Sequence, residues 1–536
     1  MKKIMALLLA ILMLIPIIAS CGGNDETTTT EIPTTEAPTT EAPTTEAPTT
    51  EIPTTEAPTT ETPTTEAPTT EAPTTEAPTT EAPSTIDPNV IWSSKTDIRD
   101  TWSGKTLNVA CSTWYDTGAP WAMPESFITE ENDANFGVQI QQAVLDRNEF
   151  IENTYGVKVN WINATKAGMP KALEEATLAK NIYYDLAAPR MMNVQAIVAG
   201  GHVYDLADRE FIDFRNSYYN DNSVEAFTAH GHTFFVAGSF SIIEKNTAYV
   251  VFVNKNLMGE VSENGIEDLY KLVKDGKWTY DKLVAYCEAV YSDNGDTEDT
   301  YRYVHGFHSY STDRFFNYFD VARGGVNKAT GEWELITNDE NVDSIIDAII
   351  NTKTANWFAD YSWYGAWGPT GAGMFKEDKV LFLNDTLSYY DQFGDIGIVP
   401  FPMLNEEQGR YRVPCYNLMS VAMCIPKITQ DRNMSDYFMD VLFWTAEEYT
   451  MKEYTKNISK GFTTDKDIEM LTDYIFPNIS YDPGEAVGWG TLFSLFGTYY
   501  DNGYKNNFDE YYEEKSPAAL ETIAEWNKAW GSYTEE

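Results

Sequence analysis

The stretch STWYDTGAPW, residues 112–121, combines aromatic and acidic side chains with glycine and proline. No amphipathic period explains Trp114, Tyr115, Asp116 and Trp121. Aromatic rings cover the apolar C–H faces of a sugar, and a carboxylate accepts hydrogen bonds from its hydroxyl groups. The stretch is therefore a candidate for contact with a hydroxyl-rich ligand, and packing between two lobes is the alternative.

A second aromatic stretch, YSWYGAWG at residues 361–368, spaces Trp363, Tyr364 and Trp367 with glycine. The pattern is typical of a surface on which a flat ligand stacks. It is equally typical of an aromatic cluster that closes the end of a helix, and the two interpretations stay open.

Catalytic motifs are not evident. A glycoside hydrolase needs two carboxylates about 5–10 Å apart, but in so acidic a chain pairs such as those at Glu174 and Glu406 arise by chance. The sequence contains no G-x-S-x-G or H-E-x-x-H motif. The pairs His230/His232 and His305/His308 could bind a metal, but loop or hydrogen-bonding roles fit them better. We therefore expect a protein that is not an enzyme and needs neither cofactor nor metal, with an extracellular glycoside hydrolase as an alternative.

The amino terminus has the pattern of an export signal. Lys2 and Lys3 precede the apolar run from Ile4 to Ile18, which is short for a membrane span. The sequence Ile18-Ala19-Ser20-Cys21 resembles a bacterial lipobox, with isoleucine where leucine is commoner. This resemblance implies a signal peptide over residues 1–20 and a diacylated Cys21, which would anchor the chain to the outer leaflet. An ordinary secretory signal cleaved near Cys21 is the alternative.

Residues 21–90 are predicted to form a tether. From Glu31 the pentad E-x-P-T-T repeats to about residue 84. Proline every fifth residue removes backbone donors, and threonine and glutamate offer no core, so the segment should be extended and disordered. At about 3.1 Å per residue it could reach on the order of 170 Å, enough to lift a body through a thick cell wall. The threonines are plausible carriers of O-glycans, and a neutral low-complexity expansion is the alternative.

The remaining body is strongly acidic. The whole chain has 82 acidic and 37 basic residues; residues 1–84 hold 13 of the acidic ones and two lysines, which leaves 69 against 35, or −34. Such a charge excludes nucleic acid and anionic lipid surfaces as partners. About 450 residues exceed one core, so at least two lobes are expected. Cys111 and Cys287 fall at apolar positions, and a Cys415–Cys424 disulfide is left open.

Patterning in the body alternates strands with helices. The predicted order is a strand from Thr106, a helix that stops at Gly156, a strand VKVNWI, a helix GMPKALEEATLAKN and a strand YDLAAPR. This order implies a parallel sheet with crossover helices. An apolar strand then ends at Asn254, and two helices follow, the second with Thr279 as N-cap. DKVLFLN and DIGIVPFP are later strands, and the chain from about Ser435 is mainly helical.

These segments resemble, in order, the extracellular solute-binding proteins of ATP-binding cassette importers, in the branch that includes maltose-binding protein. The resemblance covers most of residues 106–477. It rests on FIENTYGVKVN, on YDLAAPRMMNVQAIVAGGHVYDLAD, on FVNKNL with DLYKLVKDGKWTYDKLVAYCEAV, on GAGMFKEDKVLF and on DIGIVPFPMLNEEQGRY. Each string alone is a weak signal, but five in family order are a strong one.

The resemblance implies an α/β, two-lobed fold of the periplasmic-binding-protein type II, in which each lobe has a mixed sheet flanked by helices. The predicted boundaries are 91–253 with 397–460 for lobe 1, and 254–396 with 461–536 for lobe 2. Hinge strands join the lobes, and the ligand binds in the cleft between them.

The resemblance also places further candidate ligand contacts. PRMMN corresponds to a polar ligand-binding loop of maltose-binding protein, although methionines stand where that protein has aromatic and charged residues. GSFS matches another cleft loop, and FHSYSTDRF lies in the position of a cleft segment. GWGTLF carries a tryptophan at the position where maltose-binding protein has a stacking tryptophan. The residues added in this way are Arg190, Asn193, Ser239, Phe240, His308, Tyr310, Asp313 and Trp489.

The expected partners are a mono- or oligosaccharide and the permease subunits of an importer. The protein is expected to be a monomer, lipid-anchored on the extracellular face of the cytoplasmic membrane in a Gram-positive-type envelope. A cell-surface glycan tether without transport is a further alternative. A peptide, polyamine or metal ligand also stays open, because excess acidic residues with tryptophan would suit a cation.

Overall fold

A computed structural model of the chain describes residues 100–112, 137–164, 168–180, 183–292, 305–309, 314–321, 324–335, 341–360, 371–416, 420–486 and 508–535. The chain divides into two units, and the second, Thr85–Glu536, contains all of these residues. The predicted signal peptide, Cys21 and the tether lie outside the described residues. No helix of the described residues is long and apolar enough to cross a membrane.

The strands, numbered in chain order, are mostly short. They are β1 Thr106–Ser112, β2 Lys158–Ala164, β3 Leu186–Ala188, β4 Thr228–Ala229, β5 His232–Thr233, β6 Tyr249–Asn254, β7 His305–Ser309, β8 Gly324–Val326, β9 Trp333–Leu335, β10 Phe358–Asp360, β11 Val380–Thr386, β12 Ile396–Val399, β13 Val413–Pro414 and β14 Ile479–Ser480.

The α-helices surround these strands and dominate the second half of the chain. They are α1 Gly137–Tyr155, α2 Met169–Ala179, α3 Val194–Ala199, α4 Asp221–Phe227, α5 Ile243–Asn246, α6 Lys255–Val261, α7 Ile266–Lys274, α8 Tyr280–Val290, α9 Phe315–Tyr318, α10 Val342–Thr354, α11 Gly371–Lys376, α12 Arg432–Ala446, α13 Lys452–Ile458, α14 Asp465–Glu469, α15 Pro483–Ala486 and α16 Phe508–Gly531. Two π-helical turns, Glu447–Met451 and Met470–Ile475, continue α12 and α14.

The first sheet is parallel, as the alternation of strands and helices predicts. Its order is β2-β1-β3, with Val109 beside Trp161 on one side and Leu186 on the other. Crossover helices α1 and α2 connect the strands. Helix α1 ends at Tyr155 because Gly156 adopts a left-handed φ of 65°, and a Cβ there would lie 2.4 Å from Ser103 Oγ.

The second sheet has five strands and is mixed. Its order is β10-β7-β11-β6-β12, and β6 runs antiparallel to both β11 and β12 while β10, β7 and β11 are parallel. All six residues of β6 are buried, which explains why its sequence is nearly continuous in apolar residues. The predicted lobe boundaries at residues 253 and 397 fall inside β6 and β12, and they stay a prediction.

Short backbone contacts link the two sheets. Ala248, just before β6, forms a bridge with Cys415, and Tyr416 N donates to Thr247 O at 3.0 Å. A few residues further on, the chain reaches the three-stranded sheet, where Cys424 pairs with Ala187. The described residues of the stretch from Cys415 to Cys424 therefore bond to both sheets, and we call this stretch the linking segment.

The helices after β6 lie where the sequence predicts them. Leu269 and Val273 of α7 and Leu283 and Cys287 of α8 are buried, as their spacing indicates. Thr279 occupies the N-cap position of α8, but its side chain makes no capping hydrogen bond. The backbone at the start of α8 instead pairs with the segment after β12, where Tyr280 N donates to Met403 O at 2.8 Å.

The carboxyl end of the last helix, α16, contacts the β8–β9 hairpin. The Asn527 side chain accepts from Trp333 N at 2.7 Å and donates to Trp333 O at 2.8 Å. Beyond the helix, Asp205 N donates to Tyr533 Oη at 3.1 Å. Glu535 pairs with Arg209 at 3.2 Å and with Arg432 at 2.6 Å. These contacts fix the described end of the chain to two distant segments.

The four cysteines of the body are buried. No disulfide joins Cys111, Cys287, Cys415 or Cys424 to another described residue. The Cys415–Cys424 disulfide left open by the sequence is therefore not formed. Cys424 Sγ instead donates to Ala187 O at 3.4 Å, and Cys415 Sγ accepts from Ser420 Oγ at the same distance.

Candidate functional site

Five polar or aromatic side chains meet where the carboxyl ends of strands from both sheets approach the linking segment. We call this group the inter-sheet cluster: Arg190, Tyr249, Arg314, Asp385 and Tyr416. Arg190 follows β3, Arg314 follows β7, and Asp385 lies near the end of β11. Ligands of open α/β sheets bind at this position, beyond the carboxyl ends of the strands.

Arg190 represents the three-stranded sheet in the cluster. Its backbone pairs with Val421, so the residue is fixed at the end of β3. The side chain is only 4% exposed, and its Nη2 donates to Met192 Sδ at 2.6 Å. Burial lowers the pKa of the Arg190 guanidinium, while Tyr416 acts in the opposite direction. The cation is thus held in a partly desolvated position where it interacts with a residue of the linking segment.

Arg314 is the corresponding cation from the five-stranded sheet. It is 3% exposed, and its Cζ lies 4.0 Å from the ring centre of Tyr249 and 5.9 Å from that of Tyr416. The two rings meet edge to face, with an interplanar angle of 82°. A guanidinium over desolvated aromatic faces is stabilised by cation–π attraction of up to about 2 kcal/mol. The two tyrosines therefore hold Arg314 in a defined orientation.

Asp385 supplies the acidic group of the cluster. Burial raises the pKa of its carboxyl to about 6, against the opposing effects of a hydrogen bond from Thr386 N and of the Arg314 charge. The hydrogen bond is 2.7 Å long. The carboxylate is therefore ionised at neutral pH and lies among donors, which suits it to accept hydrogen bonds from hydroxyl groups.

The edge of the five-stranded sheet next to this cluster is tied together by side chains. Asn384 Oδ1 accepts from Ser309 Oγ and from Tyr318 Oη, each at 3.0 Å, and Asn384 Nδ2 donates to Val250 O at 3.0 Å. This network joins β7, β11, β6 and α9. It holds the strand ends that carry Arg314 and Asp385 in place.

Of the predicted contacts, Arg190 joins the cluster and two others lie close to strand ends. Asn193 ends the short 3-10 turn Met191–Asn193 and is half-buried. His308 is 4% exposed in β7, next to Leu383 of β11. Its ring lies against Gly371, where an added Cβ would be 2.3 Å away. The roles of Arg190, Asn193 and His308 in ligand binding stay predictions.

Ser239 and Phe240 lie elsewhere. Ser239 Oγ donates to Glu447 Oε2, at the start of a π-helical turn. Phe240 is 1% exposed, and its ring centre is 4.9 Å from that of Phe443 in the core. The structure does not bring either residue into the inter-sheet cluster. The roles of Ser239 and Phe240 in ligand binding stay predictions.

The other predicted contacts lie outside the described residues: Trp114, Tyr115, Asp116, Trp121, Tyr310, Asp313, Trp363, Trp367 and Trp489. They remain predictions. In the part of the chain that the structure describes, no group of three or more histidine, cysteine, aspartate or glutamate side chains is arranged to hold a metal ion.

Sequence reasoning missed four members of the cluster. Tyr249 belongs to an apolar strand, and Asp385 and Tyr416 follow segments whose patterns indicate only strands. Arg314 had a signal, since it lies within the segment FHSYSTDRF, which supplies the candidates Tyr310 and Asp313. A charged residue beside a candidate loop and ahead of an aromatic helix could have been added on that ground.

Comparison with protein-family models gives no match, and comparison with curated proteins gives none. Among solved structures, the extracellular solute-binding protein from Staphylococcus aureus, in complex with maltose, aligns with a TM-score of 0.51 at 12% identity, over 78% of this chain and 98% of that chain. The chain has the fold of an extracellular solute-binding protein. The predicted two-lobed α/β fold class is confirmed by this likeness.

Two further structures align at lower scores. A cyclo/maltodextrin-binding protein complexed with maltotetraose has a TM-score of 0.48 at 14% identity, over 80% of this chain and 98% of that chain. An ABC substrate-binding protein from Listeria monocytogenes, in complex with cycloalternan, has a TM-score of 0.42 at 13% identity, over 80% of this chain and 99% of that chain.

Proposed function

We propose that this protein is a membrane-anchored extracellular solute-binding protein that captures a mono- or oligosaccharide between its lobes for an ABC importer. The observation that carries the proposal is the inter-sheet cluster in a solute-binding-protein fold. Its buried cations come from both sheets and face one linking segment. The maltose in the Staphylococcus aureus structure supports a carbohydrate as the ligand class.

The cluster has the groups that a sugar requires. Guanidinium N–H groups of Arg190 and Arg314 donate to hydroxyl oxygens, and the Asp385 carboxylate accepts from hydroxyl hydrogens. The half-buried ring of Tyr416 offers an apolar face, while the ring of Tyr249 is occupied by Arg314. A ligand that contacts Arg190 and Arg314 together would bridge the two sheets, and this differential contact would favour the closed arrangement of the lobes.

Anchoring and delivery rest on the amino-terminal sequence. A diacyl group on Cys21 would keep the chain at the membrane, and the threonine-rich repeat would let the body move at a distance from it. Without a covalent step, the bound sugar would be released unchanged to permease subunits. Loss of membrane association after Cys21→Ala, measured by fractionation of cells, tests the anchor separately from ligand binding.

A calorimetric titration tests the ligand class. We expect maltose, maltotetraose or another member of an oligosaccharide panel to bind saturably and to raise the Tm, with no product after prolonged incubation. Trp114→Ala should weaken that binding at least about tenfold without a change in fold, because an aromatic face is removed. Accumulating hydrolysis products would instead support the glycoside hydrolase, and binding of none of the sugars would contradict the proposal.

A further inference from the structure

A cavity borders α5, the helix that precedes β6. It has a volume of about 740 Å³ and shares no described lining residue with the inter-sheet cluster. We call it the lysine cavity, after Lys245, Lys452 and Lys456, which line it together with Ser239 and Glu447. Its walls come from α5, from α13 and from the chain that follows the second π-helical turn.

Three ammonium groups on one cavity are unusual in so acidic a body. Lys245 is half-buried, with its Nζ 5.6 Å from the ring centre of Phe476, and it forms no ion pair with a described residue. Lys452 and Lys456 pair with Glu448 and Glu453 of their own helix. Their side chains are 65% and 69% exposed, so these pairs contribute little and can be exchanged for a ligand.

The carboxylates that line the cavity are mostly engaged. Glu447 accepts from Ser239 Oγ, while Glu244 accepts from Asn220 Nδ2 at 3.1 Å and from Tyr481 Oη at 2.5 Å. Asp221, the third lining carboxylate, is exposed at the start of α4. The buried acceptors therefore already have donors, whereas the ammonium group of Lys245 can still take an anionic partner.

The helical face that carries Lys452 and Lys456 adds one hydroxyl donor. Thr455 lines the cavity three residues after Lys452, whereas Ser459, in the 3-10 turn after α13, donates its hydroxyl hydrogen to Thr455 O at 2.7 Å. This face thus presents two cations and the Thr455 hydroxyl to the cavity. Such a set of donors matches a ligand group with several acceptor oxygens.

Two π-helical turns border the same cavity, and this observation is independent of charge. Glu447 and Met451 line it from the first turn, and Thr472 lines it from the second. A π-helical turn inserts one residue into a helix at a cost in hydrogen-bond geometry, and such turns are frequent at functional sites. The first turn also places the Glu447 carboxylate where it accepts a hydrogen bond from Ser239 Oγ.

From this geometry we propose that the lysine cavity is a second binding site, for a small molecule that bears an oxyanion group. Lys245 is its primary cation, and Lys452 and Lys456 close on the group from α13. Lysine binds such a group as a compact point charge with three donors, whether the group is a phosphate or a carboxylate. The site shares no described lining residue with the inter-sheet cluster, and among its described residues Ser239 is the one predicted sugar contact that lines it.

Matched probes test this site. Glucose 6-phosphate and glucuronate carry the two oxyanions on one sugar frame, and glucose is the neutral control. At constant ionic strength, we expect saturable binding of at least one charged probe by calorimetry, weakened at least tenfold in Lys245→Met. The control Lys460→Met, an exposed lysine outside the lining, should bind as the wild type does.

The outcomes are separable. A preference for one charged probe identifies phosphate or carboxylate as the group. Equal binding by Lys245→Met and the wild type, or no binding of either charged probe, would overturn the proposal. Lys245→Met should bind any neutral oligosaccharide that the wild type binds, so that failure of the lysine cavity and failure of the sugar site give different results.

Discussion

The carboxyl edges of the two sheets are built differently. In the five-stranded sheet, Ser309 and Tyr318 both donate to Asn384, which in turn bonds to the backbone of β6. In the three-stranded sheet, the corresponding edge ends in Arg190, whose guanidinium contacts the sulfur of Met192. The edge of the five-stranded sheet is thus a hydrogen-bonded network, whereas Arg190 at the edge of the three-stranded sheet contacts the flexible, polarisable side chain of Met192.

This difference indicates a division of labour. A network in which each polar group has a partner fixes its members, so the five-stranded edge should hold Arg314 and Asp385 at constant positions. The backbone of Arg190 is fixed and its side chain is buried, but the guanidinium bonds to the flexible Met192 side chain, and the two can shift together. The five-stranded side would therefore set orientation, and the three-stranded side would adapt when the lobes close.

The largest effect is expected from a substitution that disturbs the rigid side alone. In Gly306→Ala the new Cβ would lie 2.3 Å from Cys287 Cα, so that β7 and α8 must separate. We expect the free energy of unfolding to fall by about 3 kcal/mol or more, measured by urea denaturation. Gly259→Ala, where nothing lies within 4 Å, is the control. Equal stability of the two variants would contradict tight packing of this sheet.

The second prediction concerns the pH dependence of Asp385. Its pKa is about 6 in the folded chain and 3.8 in the unfolded reference, so the folded state binds more protons between these values. The ionised group therefore destabilises the fold above pH 6, and this penalty disappears as the pH falls. Relative to Asp385→Asn, the wild type should gain about 2 kcal/mol of stability between pH 7.5 and pH 4.5.

Thermal or urea unfolding at the two pH values measures this gain. Because the substitution retains the shape of the side chain and an acceptor for Thr386 N, the comparison isolates the charge. A parallel pH response of the two proteins would show that the carboxyl group is better solvated than its position at the edge of the sheet indicates.

A third prediction compares the two arginines by ligand affinity and rests on the proposed sugar site. Arg314→Met should raise the Kd for the bound oligosaccharide about tenfold, and Arg190→Met only about threefold, because the adaptable side can compensate. Arg215→Met, at a side chain that is 91% exposed, should leave the Kd unchanged. A larger loss for Arg190 than for Arg314 would reverse the division of labour.

The smallest effect is expected where the end of the described chain contacts Asp205, which belongs to the range predicted for the adaptable lobe. Tyr533→Phe removes the oxygen that accepts from Asp205 N and leaves the ring in place. We expect a loss of about 1 kcal/mol in unfolding free energy. Tyr183→Phe, which removes a long hydrogen bond at an exposed residue, is the matched control and should stay close to the wild type.

The sequence predicts local structure better than it predicts contacts between residues that are far apart in the chain. Alternating strands and helices indicate the parallel sheet, and Gly156 marks the end of α1, because periodicity and backbone conformation are local properties. The antiparallel placement of β6 between β11 and β12 has no local signal. Tyr249 appears only as an apolar strand residue until the fold brings Arg314 over its ring.

Other departures have the same origin. Thr279 has the residue type of an N-cap, but pairing of its backbone with Met403 replaces the side-chain bond. Phe240 lies in a loop that resembles a cleft loop of the family, but its ring packs against Phe443 in the core. In each case the position of the residue depends on a partner more than a hundred residues away in the chain. A single sequence does not show that the two residues are close in space.

The contacts of the last helix also constrain how the body is made. Asp205 and Arg209 bond to Tyr533 and Glu535 across 328 and 326 positions of the chain, and Trp102 bonds to Asp431 across 329. Each of these pairs closes a very long loop, so it can form only after both distant segments are available. Closing such loops is slower than forming local contacts, and we expect these pairs to be completed late in folding.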